Sequence, residues 1–217
     1  VLSVSSSQSD GVHNCFYLFS GRNIQPDATT VPLTDVYKFD IITQTWERLS
    51  DISTADKEGI CVMAGLSWTC GANHIMVVGG DEGPVYLELE KLCDRIKEAE
   101  KRNDKDTAAR LMVELNRAYA EHSGFSKSVY AYHTITDTWV EVGQFPADSP
   151  VTSKAVHWPS FDSEDIIIPS GEIRPGVRSP RIWFGDIDIS GSFHWLDYAA
   201  LAAFLFLLII MGVYFSK

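Results

Sequence analysis

The chain has 217 residues, of which 45% are hydrophobic and 22% charged, and this ordinary globular composition excludes a wholly disordered or fibrous protein. Its formal net charge is −11, which argues against a nucleic-acid partner because phosphate binding requires basic patches.

An internal repeat organises the first two thirds of the chain. Residues 36–46 (VYKFDIITQTW) recur 93 positions later as residues 129–139 (VYAYHTITDTW). Each copy has an alternating apolar run, a T-x-T turn and a Trp that opens another short run, a pattern that predicts a β-hairpin. A further hairpin is predicted around residues 181–184. Three apolar runs that end in small residues precede these hairpins: residues 16–21, 74–80 and 165–171.

The order of these features resembles the kelch repeat, which builds four-stranded blades of β-propellers. In both copies a strand ending in small residues is followed by an aromatic, Tyr37 or Tyr130, and by a Trp nine residues later. The resemblance implies an all-β fold, a kelch β-propeller with about three blades in this chain. Closed propellers have four to eight blades. The chain begins at Val1, without an initiating Met or a recognisable signal peptide. We therefore expect this chain to be part of a larger protein.

The 93-residue spacing exceeds the roughly 50 residues of a kelch unit, and the excess has helical periodicity. Two apolar stripes recur at helical spacing: Leu89, Leu92, Cys93 and Ile96, then Ala108, Leu111, Met112 and Leu115. They predict an α-helical hairpin with a charged outer face. We expect it to cap the rim of the propeller, with a coiled-coil partner site as the alternative. The predicted domains are residues 1–84 and 125–192 for the blades, 85–124 for the hairpin and 193–217 for a C-terminal helix with its flanks.

No metal or cofactor is predicted. The four cysteines have no C-x-x-C spacing and are expected to be buried thiols. His74 and His157 have no second ligand at metal-binding spacing and are interpreted as structural.

Residues 198–215 carry no charged side chain, which meets the lower length limit for a membrane-spanning helix. Aromatic residues at both ends are typical of a bilayer interface. The W-L-D-Y opening and G-x-Y-F-S-K close resemble the first helix of sodium/solute symporters; a simple anchor is the alternative. The resemblance implies membrane lipid and the rest of a symporter as partners. Lys217 follows the helix, so the positive-inside rule places the propeller outside the cytoplasm, in the periplasm.

The segment G-E-I-R-P-G-V-R, residues 171–178, follows the third strand end. With the hairpin insertion and the T-x-x-W hairpins, it resembles the kelch-type N-acetylneuraminate (sialic acid) epimerase, or mutarotase, family over about residues 13–185. The resemblance implies catalytic residues at Glu172 and Arg178, with the Arg178 guanidinium also binding the substrate, in a protein whose ligand is sialic acid.

The residue chemistry is compatible with these roles. Mutarotation requires one group that takes the anomeric hydroxyl proton and one that protonates the ring oxygen, and a guanidinium can hold the sugar carboxylate through two hydrogen bonds. Arg22, which follows the first Ser-Gly pair, is a further candidate for substrate binding. The alternative interpretation is that these are solvated loop charges. The predicted function is therefore a sialic acid mutarotase tethered to a symporter. A non-catalytic sugar-binding domain or an interaction scaffold would carry the same fold.

Overall fold

The computed structural model describes residues 2–6, 14–71, 73–158, 165–185 and 195–215. The chain divides into two compact units, Val1–Ile187 and Asp188–Lys217. Residues 186–194 and Lys217, on which the predicted membrane orientation partly depends, lie outside the described residues.

Two four-stranded antiparallel sheets contain the two copies of the repeat. The first has the order β1-β2-β3-β4 and the second the order β5-β6-β7-β8. The strands of the first sheet are β1 (Leu2–Ser6), β2 (Asn14–Ile24), β3 (Thr30–Asp40) and β4 (Thr45–Leu49). Those of the second are β5 (Leu66–Cys70), β6 (His74–Val78), β7 (Ser128–His133) and β8 (Thr138–Gln144).

The third sheet is smaller and has an additional hairpin beside it. Strands β9 (Val156–His157), β10 (Ile166–Pro169) and β13 (Ile182–Gly185) pair in the order β13-β10-β9. Between β10 and β13 the chain forms the two-stranded hairpin of β11 (Glu172–Arg174) and β12 (Val177–Arg178). The first unit is thus mostly β, built from several small antiparallel sheets, as expected for part of a propeller.

Two helices interrupt the second sheet between β6 and β7. They are α1 (Pro84–Lys101) and α2 (Lys105–Ala120), and Pro84 occupies the first turn of α1, where its missing N–H costs nothing. The side chain of Asp104 caps α2 by accepting a hydrogen bond from the backbone N–H of Thr107. The predicted apolar stripes meet in a small core between the helices: buried Ile96, Leu111 and Leu115, with Leu89, Leu92, Cys93 and Tyr119 around them.

The pairs of small residues in the second strand of the first sheet, and directly after the second strand of the other two sheets, have one shared backbone geometry. Both members of each pair have positive φ: 54° and 126° at Ser20 and Gly21, 69° and 88° at Gly79 and Gly80, and 53° and 130° at Ser170 and Gly171. A Cβ at the second position would lie 2.7 Å from Val62 Cγ1 in the second sheet and 2.5 Å from Pro150 Cβ in the third. Glycine is therefore required there by both conformation and space.

Serine fits the first position of the pair because its hydroxyl donates a hydrogen bond to a backbone carbonyl of a neighbouring segment. Ser20 Oγ donates to the carbonyl of Leu33 at 2.6 Å, and Ser170 Oγ donates to that of Ser179 at 2.8 Å. In the first sheet, β2 does not end at this pair as predicted. It continues past a bulge to Ile24 and pairs with the start of β3, so the hairpin is longer than the sequence pattern indicated.

Aromatic side chains pack the sheets against one another. The ring of Phe19 on β2 lies 6.0 Å from that of Tyr132 and 5.4 Å from that of Trp139, both of the second sheet. The second sheet packs against the third through another core, in which Leu66 is buried with Ile166 and Ile168. Large aromatics supply most of the apolar area in such contacts.

A polar contact fixes the first of these interfaces. Asp137, in the turn between β7 and β8, accepts hydrogen bonds from the Ser50 backbone N–H at 3.0 Å and the Ser50 hydroxyl at 2.8 Å. Trp139 Nε1 donates to the Ser50 carbonyl at 3.1 Å. Tyr132 also donates to Asp137 at 2.8 Å, and burial, followed by this bond to a carboxylate, raises the pKa of Tyr132 and keeps its phenol a donor.

The first copy of the repeat lacks this contact. Gln44 stands where the second copy has Asp137 and has nearly the same φ, 55° against 52°. Trp46 is 57% exposed, whereas its counterpart Trp139 is 8% exposed. The difference arises because Trp139 packs on the preceding sheet, while Trp46 contacts Phe39 of its own sheet, with 4.9 Å between ring centroids and 45° between the ring planes.

The described part of the second unit, residues 195–215, is the helix α3 (Trp195–Phe215). Its stretch Trp195–Gly212 is long and apolar enough to cross a membrane, and none of it is buried in the structure. By length and composition it is a candidate span.

We expect Asp137→Asn to lower the free energy of unfolding by about 1–2 kcal/mol, because an amide N–H₂ replaces an oxygen that accepts from Ser50. Asparagine tolerates the positive φ, so backbone strain does not contribute. The measurement is urea unfolding of the full chain in detergent, followed by tryptophan fluorescence. Gln44→Asn, at the equivalent position of the first copy, is the control and should change stability by less than about 0.5 kcal/mol. Equal losses in both variants would show that the contact with Ser50 does not stabilise the interface.

Candidate functional site

The first unit contains a cavity of about 500 Å³, within the size range of small-ligand sites. Three parts of the chain form its wall: the strand ends with the small-residue pairs, the loops that cross between sheets, and one side of the helical hairpin.

The three strand ends each contribute one ionisable side chain. Arg22, Asp81 and Glu172 all line the cavity, and each is the first residue after a small-residue pair. Since the pairs share one backbone geometry, successive sheets direct the same sequence position to the same cavity. The sequence interpretation named Arg22 and Glu172 but missed Asp81, although its place after Gly79-Gly80 carries the same signal.

Two of these residues are fixed by equivalent backbone bridges. Asp81 exchanges both backbone hydrogen bonds with Met63, at 2.9 and 3.0 Å, and Glu172 exchanges both with Val151, at 2.8 and 3.0 Å. Met63 and Val151 belong to the loops that cross from one sheet to the next. These bridges hold the backbone of both carboxylate residues against the wall.

Both carboxylates have one oxygen held by the local backbone. Glu172 Oε1 accepts from the Gly176 N–H at 2.7 Å, and Asp81 Oδ1 accepts from the Gly83 N–H at 2.8 Å. Glu172 and Asp81 are half-buried. In the described part of the chain their other carboxylate oxygens have no hydrogen-bond donor, so each can bind or exchange a proton with a ligand.

Arg178 lies beside Glu172 but not among the residues that line the cavity. It is the Cα partner of Glu172 across the β11–β12 ladder, and direct cross-strand partners extend from the same face of a hairpin with Cβ atoms about 5 Å apart. Arg178 is exposed. The turn between β11 and β12 thus brings the carboxylate of Glu172, which lines the cavity, close to the guanidinium of Arg178, which does not line it.

The helical hairpin forms another part of the wall. Tyr86, Leu89, Glu90 and Cys93 line the cavity, and their spacing of three, four and seven residues places them on one side of α1. Tyr119 of α2 also contributes. Burial, followed by its interaction with Cys93, raises the pKa of Tyr119, so its phenol is protonated and can donate at neutral pH.

Contacts at the start of α1 connect this wall to the first sheet. The Arg22 guanidinium lies 4.8 Å from the centre of the Tyr86 ring, and Thr30 Oγ1 donates to Glu90 Oε1 at 2.8 Å. The insertion is predicted from the sequence to cap the rim, but Tyr86 and Glu90 are not predicted as site residues. Helical periodicity marks the apolar stripe and carries no signal for polar residues beside it.

No group of three His, Cys, Asp or Glu side chains that could hold a metal ion occurs among the residues described by the structure.

Comparison with known proteins gives consistent matches. The family model for N-acetylneuraminate epimerase matches residues 4–205. The N-acetylneuraminate epimerase of Yersinia enterocolitica is 26% identical over 175 residues, which are 78% of this chain and 40% of that protein. That of Pasteurella multocida is 23% identical over 181 residues, 83% of this chain and 44% of that protein.

A solved structure titled "Structure of YjhT" superposes with a TM-score of 0.59 at 17% identity, over 82% of this chain and 50% of that one. This similarity supports the fold alone. The chain spans about two fifths of the length of the curated relatives it matches. With the family model covering nearly all of the chain, we conclude that it belongs to the N-acetylneuraminate epimerase family.

Proposed function

We propose that this chain forms part of a sialic acid mutarotase that interconverts the anomers of N-acetylneuraminate. The observation that carries the proposal is the cavity into which three successive strand ends direct Arg22, Asp81 and Glu172. Membership of the epimerase family, with relatives that bear this name, supports the choice of substrate.

In the proposed reaction the substrate opens and recloses at its anomeric carbon. The Glu172 carboxylate takes the proton of the anomeric hydroxyl, the bond from the anomeric carbon to the ring oxygen breaks, and the ring oxygen receives a proton from a second acid. We assign that transfer to the carboxyl group of Asp81, which lines the same cavity. Rotation of the resulting ketone followed by the reverse proton transfers closes the ring on the other face.

The substrate carboxylate is assigned to Arg178. In N-acetylneuraminate this carboxylate is attached to the anomeric carbon itself, so its partner must lie next to the group that acts on the anomeric hydroxyl. Arg178 meets this requirement as the direct cross-strand partner of Glu172. A planar guanidinium can hold both carboxylate oxygens at once.

The C-terminal helix is assigned a membrane role. α3 is long and apolar enough to span a bilayer, and Trp195 and Tyr198 at its start are typical interfacial residues. The proposal includes a periplasmic site, a cytoplasmic C-terminus, and continuation into a sodium/solute symporter that would take up the sugar. The W-L-D-Y opening of the helix supports this last step.

In the complete protein, we expect Glu172→Gln to abolish catalysed mutarotation while sialic acid binding stays within about threefold of wild type. The amide keeps the shape and one acceptor oxygen for Gly176 but cannot accept the proton, so the loss falls on turnover. The measurement is NMR exchange between the α- and β-anomer signals at equilibrium, with the proteins at equal concentration. Glu141→Gln, an exposed change on β8, is the control and should exchange the anomers like wild type.

The same experiment distinguishes the alternative functions. If wild type binds the sugar without accelerating exchange, the domain is a sugar-capture module, and if it binds no sugar, it is an interaction scaffold. If Glu172→Gln exchanges the anomers as fast as wild type, the assignment of Glu172 is wrong.

For Arg178→Lys we expect KM to rise by about tenfold with a smaller change in kcat, because a point charge replaces a two-pronged contact with the carboxylate. The readout is the dependence of anomer exchange on sugar concentration. Arg110→Lys, on the exposed surface of α2, serves as the control for the charge-conserving change. An unchanged KM in Arg178→Lys would remove Arg178 from the substrate contacts.

Cysteine labelling tests the orientation. In a background without native cysteines, Ser123→Cys should react with a membrane-impermeant maleimide in bacterial cells with a permeabilised outer envelope. Lys217→Cys should be protected until the inner membrane is opened. The reverse pattern would place the propeller in the cytoplasm.

A further inference from the structure

We infer that helix α1 of the insertion supplies a second subsite in the cavity, in which Glu90, Arg22 and Tyr86 bind the hydroxylated side chain of the sugar. This inference rests on the proposed function and extends it from the anomeric carbon to the other end of the substrate. It makes the helical insertion a determinant of which sugar acids the site accepts.

Glu90 is held ready to accept hydrogen bonds from a ligand. Its Oε1 accepts from Thr30 Oγ1 at 2.8 Å and from Tyr86 Oη at 3.2 Å. Within the described part of the chain, Oε2 has no donor. Glu90 is half-buried and lines the cavity, so a carboxylate fixed through one oxygen presents the other to a bound molecule.

Arg22 supplies donors next to this acceptor. Its guanidinium lies over the ring of Tyr86 at 4.8 Å, a cation–π contact that restricts the side chain without using its N–H groups. Among the described residues no acceptor bonds to these N–H groups. Arg22 is also the basic side chain among the residues that line the cavity, and the carboxylates of Asp81, Glu90 and Glu172 line the same cavity.

The pattern of donors and acceptors selects the kind of group that fits. A hydroxyl can donate to the Glu90 carboxylate and accept from the Arg22 guanidinium, and neighbouring hydroxyls can do both at once. The carboxylate of the substrate is disfavoured at this subsite because the Glu90 carboxylate would repel it. The subsite therefore fits a neutral polyol and not the acidic end of the substrate.

The shape of the sugar agrees with this placement. With the anomeric carbon at Glu172, on the strand-end wall, the glycerol-like side chain is attached at the carbon on the far side of the ring oxygen. It consequently points away from Glu172. Glu90, Arg22 and Tyr86 line the same cavity as Glu172, so we expect one bound sugar to contact both sets of residues.

The test compares two sugars on one variant of the full chain. Glu90→Gln keeps the oxygen held by Thr30 and Tyr86 and replaces the other with an amide that cannot accept from a hydroxyl. We expect KM for N-acetylneuraminate to rise by about tenfold, with kcat within about twofold, since a hydrogen bond to a charged acceptor is lost. For the analogue shortened by the two terminal carbons of the side chain, KM should change by less than about twofold.

Two control variants accompany the test. Glu98→Gln, on the exposed side of α1, should leave both sugars unaffected. Tyr86→Phe removes the hydroxyl that bonds Glu90 but keeps the ring under Arg22, and should give a smaller loss confined to the full-length sugar. If Glu90→Gln raises KM equally for both sugars, or for neither sugar, the subsite assignment is overturned.

Calorimetric binding of the same two sugars separates this result from the proposed function. If wild type binds but does not exchange the anomers, the mutarotase proposal fails. The subsite is then supported by a loss of affinity in Glu90→Gln that is confined to the full-length sugar, and overturned by an equal loss or none. If wild type binds neither sugar, both proposals fail.

Discussion

The left-handed residue pair in or directly after the second strand of each sheet is the constraint on which the candidate site depends. The two consecutive positive φ angles at Ser20-Gly21, Gly79-Gly80 and Ser170-Gly171 turn the chain in the same way three times, and a larger side chain at Gly80 or Gly171 would collide with the crossing loop. The residue that follows each pair therefore lines one common cavity. A backbone requirement of the fold thus determines where ionisable side chains can be placed for chemistry.

The packing between sheets keeps these strand ends in register. The aromatic face of the second sheet packs on Phe19 of the first and is fixed by the bonds between Asp137 and Ser50. The helical hairpin then adds a wall that the strands alone do not provide. Two contacts join α1 to the β2–β3 hairpin: the Arg22 guanidinium lies over the Tyr86 ring, and the Thr30 hydroxyl donates to Glu90. The extension of β2 beyond Gly21 is what places Arg22 and Thr30 opposite α1.

Much of the β structure could be predicted from the sequence because the repeat is local. Both T-x-T hairpins, the small-residue strand ends and the apolar stripes of α1 and α2 follow from short-range spacing. The unequal burial of Trp46 and Trp139 could not be predicted, since two identical positions differ only in what packs on them. Glu172 and Arg22 could be selected from their place after the pairs. Tyr86 and Glu90 could not, because their role depends on which side of α1 faces the first sheet, a tertiary contact without a sequence period.

The central claim is that the sugar binds in this cavity, with the anomeric carbon at the strand ends and the side chain at the helical wall, while its carboxylate reaches Arg178 beside the lining. A crystal structure of the complete protein with bound N-acetylneuraminate tests it most directly. The account predicts three contacts. The anomeric hydroxyl is hydrogen-bonded to Glu172, the sugar carboxylate binds Arg178, and the side-chain hydroxyls lie between Glu90 and Arg22. A sugar bound outside this cavity, or in it with the carboxylate facing Glu90, would contradict the account.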